Sequence, residues 1–371
     1  MRRIIHIDMD CFFAAVEMRE QPHLKSVALA VGGDAGRRGV ICTCNYLARR
    51  FGVRSAMATA HALKLCPQLV VVPPRHSLYA AVSAQIRAIF ERFTPLVEMV
   101  SLDEAYLDVT DSPFCHGSAT WIAQAIRQTI CDELQLTASA GVAPNKFLAK
   151  VASERHKPDG LCTIPPDQVG LILADLPVRA IPGVGPVMEQ QLLALGLRTT
   201  GDLRCQPRQV LAERFGRWGE QLHRFASGDD ERPVQVVREA KSLGVETTFA
   251  KDLMTTSDMK EQTLLLLRQL QRRLQKYASE RVVRGWGLKV KFSDRVLMTI
   301  SAGHQPLSAA VVERLVGQAW SRAGGRGVRL LGLQAALAEE SGQLCLWREG
   351  VIPHCDVSQT ASVTVINAAQ R

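Results

Sequence analysis

The sequence lacks an apolar run of membrane-spanning length, lacks any C-x-x-C pair, and begins with nothing that resembles a signal peptide. A bilayer crossing takes roughly 18 to 20 apolar residues, whereas the stretch Leu264 to Leu267 meets Arg268 at once. The chain therefore reads as soluble, with no membrane partner. Its ten cysteines are scattered, Cys42 and Cys44 being the nearest neighbours, which suits reduced thiols in a cytoplasm. No segment repeats at a fixed period. Acidic residues are the minority charge: 36 Asp and Glu stand against 45 Lys and Arg, for a net charge of +9 and a pI near 9.2. That balance favours polyanionic partners without identifying one. At 371 residues, 47% of them hydrophobic, the chain has material for about two to four domains.

Against this background three carboxylates stand out by their setting. Asp8 closes the apolar run Ile4-Ile5-His6-Ile7, and Asp103-Glu104 sits inside Ser101-Leu102-Asp103-Glu104-Ala105-Tyr106-Leu107-Asp108. A buried carboxylate must be paired, neutralised or bound to a metal. Oxygen ligands suit magnesium, which borrows further oxygens from a substrate phosphate. Asp8 and Asp103 are 95 positions apart, as a two-metal site requires, since ions about 3.5 to 4 Å apart share ligands from different strands. Read alone, Asp103-Glu104 fits a solvated turn as well.

Hydrophobic periodicity places these acids. A strand over Arg3 to Asp8 is followed by Asp10, which is expected to cap a helix over Phe12 to Glu20. Strands over Val27 to Val31 and Val40 to Thr43 flank the glycine-rich basic segment 32–39, read as a mobile surface loop. A helix over Tyr79 to Arg92 precedes two strands within Glu98 to Val109. Neighbours on one strand face opposite ways, so Asp103 and Glu104 serve one site only from a tight hairpin turn. Helix Trp121 to Leu134, strand Leu136 to Val142 and helix Asn145 to Glu154 complete an α+β unit. Leu176 to Ala226 reads as a helical domain containing Ile181-Pro182-Gly183-Val184-Gly185. A charged tether, Gly228 to Lys241, leads to a second α+β module. Its elements are strand 243–249, helix 263–277, strands 282–292 and 296–301, helix 309–323 and strand 327–337. In its second strand Leu288, Val290 and Phe292 alternate with Lys289 and Lys291.

Four ordered segments, Asp8 to Glu17, Asn45 to Val53, Ser101 to Asp108 and Gly141 to Lys150, resemble the Y-family DNA polymerases, nearest to the bacterial DNA polymerase IV group. The resemblance covers about residues 1 to 347. It implies an α+β right-hand polymerase with a palm (1–10 and 77–165), fingers (11–76) and a helical thumb with a helix-hairpin-helix (166–230). A linker (231–241), a C-terminal little finger (242–341) and a tail (342–371) would follow. It also implies translesion synthesis, in which deoxynucleotides are added to a primer 3′-hydroxyl. With no segment left for a proofreading nuclease, copying is expected to be error-prone. Primer-template DNA, deoxynucleoside triphosphates and a sliding clamp are the implied partners of a monomer.

Residue by residue, the resemblance makes Asp8, Asp103 and Glu104 the catalytic acids, holding two Mg2+ ions together with the backbone carbonyl of Met9. Phe13 matches the steric gate, a ring beneath the sugar that leaves no room for a 2′-hydroxyl; by composition alone Phe12 and Phe13 are equally two core aromatics. Phe12 is assigned to the nucleotide pocket or to packing. Tyr46 and Arg49, three apart and on one face if helical, match triphosphate contacts, as does Lys157 in His156-Lys157-Pro158-Asp159-Gly160. Thr43 and Asn45 are further pocket candidates, and Val40 and Cys42 match small residues over the nascent base pair. Gly183 and Gly185 resemble a helix-hairpin-helix turn, where backbone amides approach a DNA phosphate. Lys289, Lys291, Arg326 and Arg329 are candidate DNA backbone contacts. Gln343-Leu344-Cys345-Leu346-Trp347 resembles a clamp-binding peptide, with Trp347 in place of the usual phenylalanine and 24 further residues behind it. His354-Cys355-Asp356 is too small a cluster for a metal site.

Two rival readings follow from the same residues. Asp8-Met9-Asp10 after an apolar strand could belong to a haloacid-dehalogenase-like phosphohydrolase, although Cys11-Phe12-Phe13 stands where that family expects Thr or Val. A DNA-binding scaffold without activity is the other, and the presence of all three carboxylates argues against it.

Overall fold

The computed structural model describes residues 1–338 except 238, 304 and 307. Within them the chain divides into two compact units, residues 1–35 with 39–237 and residues 36–38 with 239–338. In the first, β1 (Ile4–Met9) leads into α1 (Phe12–Glu20), then β2 (Leu29–Gly32), β3 (Ile41–Cys44), α2 (Tyr46–Arg49), α3 (Thr59–Leu65) and β4 (Val70–Val72). Next come α4 (His76–Glu91), β5 (Val97–Met99), β6 (Glu104–Asp108), α5 (Ala119–Leu134), β7 (Ala138–Ala143), α6 (Lys146–Arg155) and β8 (Leu161–Thr163). The expected elements form within one to three residues of most of their predicted limits.

A five-stranded sheet, ordered β5-β6-β1-β7-β8, puts β1 in its centre. Both neighbours run antiparallel to it, and cores on either side of the sheet bury both faces of β1. Ile5, Ile7 and Met9 pack into the core that includes Ile86 and Phe90 of α4 and Ile122 and Ile126 of α5. Ile4 joins the opposite core with Phe147, Leu148 and Val151 of α6. Each fully buried aliphatic contributes about 1.5 to 3 kcal/mol, which outweighs the penalty of carrying polar His6 and Asp8 on the α6 face.

Gly141 explains how closely α6 approaches. A Cβ at that position in β7 would lie 2.0 Å from the carbonyl of Ala149 and 2.3 Å from the amide of Ser153. Asn145 starts this helix by accepting from the amide of Leu148 at 3.0 Å. The other end of β1 departs from expectation. Asp10 does not cap α1: Cys11 is the N-cap residue, in the left-handed region with φ 42°, and no side chain caps that helix. The abrupt exit from β1 turns Asp10 inward instead, where it is 2% exposed.

The smaller sheet β3-β2-β4 pairs β2 antiparallel to β3 and parallel to β4. A helical region follows: α7 (Val169–Asp175), α8 (Pro186–Ala194), α9 (Thr200–Cys205), α10 (Arg208–Phe215) and α11 (Arg217–Ala226). Leu173, Leu192, Leu203, Leu222 and Phe225 form its core. The presumed tether is fastened at its start, since Lys146 Nζ pairs with Glu98 at 2.6 Å and the same carboxylate accepts from the amide of Gln235 at 2.7 Å.

The second unit contains β9 (Ser242–Leu253), α12 (Thr256–Tyr277), β10 (Val283–Phe292), β11 (Leu297–Ala302), α13 (Ala309–Ser321) and β12 (Val328–Leu337). Its antiparallel sheet has the order β11-β10-β12-β9. Leu288, Val290 and Phe292 are buried beside Leu266 and Leu315 of the two helices, and the period of two leaves Lys289 and Lys291 on the other face. Among the described residues no helix is long and apolar enough to cross a membrane.

Candidate active site

The site is built where β1 and β6 end together. Asp8 is the cross-strand partner of Glu104, and the amide of Met9 donates to the carbonyl of Asp103 at 2.9 Å. The expected hairpin is present: the amide of Val100 reaches the carbonyl of Glu104 at 3.0 Å, closing the turn that carries Asp103. Asp8, Met9 and Asp103 line a cleft of about 280 Å3 with Phe12, Phe13, Cys42, Thr43, Tyr46, Arg49 and Lys157. Residues from four separated segments thus meet in one place.

Burial pushes the Asp8 carboxyl up to about 6, against the pull of Lys157, and the neighbouring charge of Asp103 adds to the rise. Lys157 Nζ lies 2.8 Å from Asp8 and 2.7 Å from Glu154. Glu104 is set back from the cleft lining, paired with Lys150 and 3.5 Å from Nε2 of His6. Burial alone would raise Glu104, but the bonds from His6 and Lys150 hold it down at about 2. Asp103 accepts from the Ser101 hydroxyl at 2.5 Å. Like charges repel, and each acid takes its own donor. Among the described residues no three His, Cys, Asp or Glu side chains converge closely enough to hold a metal unaided. The donor set nevertheless suits a hard cation: a carboxylate raised by burial, with a second one beside it on the same cleft, is relieved by positive charge.

The aromatic residues separate into two kinds. Phe12 is 2% exposed and belongs to the core. Phe13 is half-buried at the cleft wall and stacks on Tyr79, with ring centroids 4.1 Å apart and planes inclined by 15°. Tyr79 donates its hydroxyl to Glu17 at 2.5 Å, and Arg75 Nε donates to the same carboxylate at 2.9 Å.

On the opposite wall α2 presents Tyr46 and Arg49 together, the guanidinium 4.6 Å from the ring centroid. Asn45 does not reach the cleft; its side chain caps α2 by accepting from the amide of Ala48 at 3.0 Å. Val40, 47% exposed, is absent from the lining, whereas Cys42 is part of it. The Cys42 thiol is exposed, and local desolvation raises it, which disfavours a reactive thiolate.

The remaining candidates lie elsewhere. Gly183 has φ +98°, and a Cβ there would meet the Trp218 ring at 2.7 Å. Gly185 has φ −83° and begins α8 as its N-cap residue, so its geometry does not require glycine. Lys289 is tied to Glu246 at 2.9 Å. Arg326 lies 3.2 Å from Asp294 and stacks over Phe292; both cations remain partly exposed on the second unit. Gln343, Leu344, Leu346 and Trp347 lie outside the described residues, as do His354, Cys355 and Asp356.

Comparison with known proteins decides the family. Residues 7–154 match the impB/mucB/samB family, 240–345 its C-terminal domain, and 179–230 a model described as DNA polymerase-iota, thumb domain. DNA polymerase IV of Shewanella sp. (strain MR-4) is 52% identical over 93% of this chain and 96% of its own. DNA polymerase IV of Vibrio vulnificus (strain YJ016) is 52% identical over 93% and 99%. A Y-family DNA polymerase chimera, Dbh-Dpo4(243-245)-Dbh, matches with TM-score 0.83 and 27% identity over 90% of this chain and 98% of that one. The chain belongs to the Y-family of DNA polymerases.

It is a DNA-directed DNA polymerase of the translesion type, in the DNA polymerase IV group. The fold is accordingly that of palm, fingers, helical thumb and little finger. Neither the phosphohydrolase nor the inactive scaffold survives this result. Polymerases of this family use divalent metal ions.

Sequence reasoning missed the polar partners behind the site: His6, Lys150 and Tyr79 beside its carboxylates and, above all, the buried acceptor Asp10. The spacing Asp8-x-Asp10 was a signal that could have placed a second carboxylate at this strand end. The positions 146, 150, 153 and 157 recur at helical intervals and could have marked one face of α6 and its extension.

Proposed function

We propose that the cleft at Asp8 and Asp103 is where a primer 3′-hydroxyl attacks the α-phosphorus of a deoxynucleoside triphosphate paired with a template base. A phosphodiester P–O bond forms, the bond from the α-phosphorus to the bridging oxygen breaks, pyrophosphate departs, and the hydroxyl proton passes to solvent. The observation that carries this reading is the meeting, in one cleft, of two acids with Lys157, Tyr46 and Arg49. Asp8, Asp103, Glu104 and the carbonyl of Met9 would hold two magnesium ions, which activate the hydroxyl and neutralise charge on the triphosphate. Lys157 and Arg49 hold the outer phosphates, Arg49 through its planar fork of donors, and Tyr46 lines the same wall beneath the Arg49 guanidinium. Phe13 excludes a 2′-hydroxyl. Thr43 supports the triphosphate, and Phe12 fixes the floor behind Phe13. Cys42 and Val40, both small, leave the base pair loosely held, which favours tolerance of damaged templates at the expense of accuracy.

Within this reading residues 1–10 and 77–165 are the palm, 11–76 the fingers, 166–230 the thumb and 242–341 the little finger. The turn at Gly183 and Gly185, with Lys289, Lys291, Arg326 and Arg329, contacts the DNA backbone, and the cytoplasmic monomer meets a sliding clamp through Gln343, Leu344, Leu346 and Trp347. Measured binding to a clamp that survives substitution of Gln343 and Leu346 removes that last role. For the pocket itself, Arg49→Ala should raise the nucleotide KM on a primed template by about tenfold or more. An unchanged KM removes the triphosphate from this wall.

A further inference from the structure

We propose that Asp10 is a positioning residue that sets the two triphosphate-holding walls of the cleft in register. Asp10 is 2% exposed and is absent from the cleft lining, although its neighbours Met9 and Cys11 both belong to it. It can act only through other residues. Its Oδ1 accepts from the Tyr46 hydroxyl at 3.3 Å and from the Ser139 hydroxyl at 2.8 Å. Its Oδ2 accepts from the amide of Asp159 at 2.8 Å. Tyr46 opens α2 on one wall; Asp159 lies two residues beyond Lys157, in the turn that leaves α6 on the other.

That turn is held from further sides. Asp159 is in the left-handed region with φ 51°, a conformation Asp tolerates at some cost. The amide of Gly160 reaches Ser139 Oγ at 3.4 Å. Arg127 donates to the Asp159 carboxylate at 2.6 Å and, through Nε, to the carbonyl of Ala138 at 2.8 Å. A buried carboxylate with three donors is costly to rearrange, so the position of Lys157 along the cleft is dictated by the strand end that carries Asp8. The fingers helix answers to the same carboxylate through Oδ1. A nucleotide entering the cleft thus meets its phosphate contacts already spaced, which reduces what binding must spend on ordering them.

The inference rests on the proposed assignment of Lys157 and of Arg49, carried on α2 with Tyr46, to the triphosphate, and the test separates the two. Steady-state incorporation of one deoxynucleotide is measured for the parent, Lys157→Ala, Asp10→Asn and Ser139→Ala, together with primer-template affinity and thermal melting. An amide at position 10 has one acceptor oxygen in place of two and turns an NH2 toward a donor. Asp10→Asn should raise the nucleotide KM by about tenfold, with kcat and DNA affinity within about threefold of the parent. Ser139→Ala, which removes one donor and leaves the cleft lining intact, should raise KM in the same direction by about threefold. If Lys157→Ala raises KM and Asp10→Asn does not, positioning by Asp10 is wrong and the pocket assignment stands. If Lys157→Ala leaves KM unchanged, the pocket assignment is wrong and the inference goes with it. A parallel fall of kcat, DNA affinity and melting temperature in Asp10→Asn overturns the inference in favour of a purely structural role. Should that variant not fold, Ser139→Ala decides, and a parental KM overturns the proposal.

Discussion

The ammonium nitrogen of Lys157 lies 2.8 Å from Oδ1 of Asp8, the last in sequence of a row of pairs along α6 and its extension. Lys146 meets Glu98, Lys150 meets Glu104, and Ser153 meets His6 at 2.8 Å. Three ammonium groups along α6 and its extension thus each meet an acid of the sheet face beneath, and Ser153 shares a hydrogen bond with His6. The row makes a cluster of acids tolerable in a folded domain, and it leaves Asp8 and Asp103 at the open end.

Phe13 is stiffened from behind by Tyr79, whose stacking distance is 4.1 Å. Removing the ring, by Phe13→Ala, should lower discrimination against ribonucleotides by at least about tenfold while deoxynucleotide incorporation persists. Competition between a ribonucleotide and its deoxy counterpart on one template checks this. Unchanged sugar selection would take the gate away from Phe13.

Glu17 lies under that stack. Burial alone would raise its carboxyl, but bonds from Arg75 and Tyr79 hold it below the ordinary 4.5. A depressed folded value means stability that is present above 4.5 and lost as pH falls through the lower folded value. Glu17→Gln should cost about 1.5 to 3 kcal/mol at neutral pH, and its deficit relative to the parent should shrink at pH below 4.5. Urea denaturation at several pH values tests this; a deficit constant with pH would contradict it.

The two glycines of the helix-hairpin-helix turn should behave differently. Gly183→Ala meets both a positive φ of +98° and the Trp218 ring, and should cost about 1 to 3 kcal/mol. Gly185→Ala has nothing within 4 Å of the new Cβ and should change stability by about 0.5 kcal/mol or less. Denaturant midpoints for both variants decide; equal losses would contradict the assigned geometry.

Legibility followed locality. The second unit was readable because each strand there faces one core, as Leu288, Val290 and Phe292 do, so the period of two is written into the chain. The hairpin at Asp103 followed from a simple geometric need. The role of Asp10 was not legible, because a cap and an inward turn look alike until the left-handed backbone at Cys11 chooses between them. The row on α6 depends on the sheet order β6-β1-β7 and on the close approach at Gly141, which are products of the whole domain. The pairing of Lys289 with Glu246 and of Arg326 with Asp294 likewise depends on the tertiary arrangement of the second unit.

The central claim is that Asp8 and Asp103, facing one cleft, are where nucleotides are joined. The most direct measurement is magnesium-dependent extension of a labelled primer by the parent and by Asp103→Ala, with DNA affinity measured in parallel. The account predicts a loss of at least about 100-fold in extension with DNA affinity within about threefold of the parent. Extension by Asp103→Ala at the parental rate would contradict it.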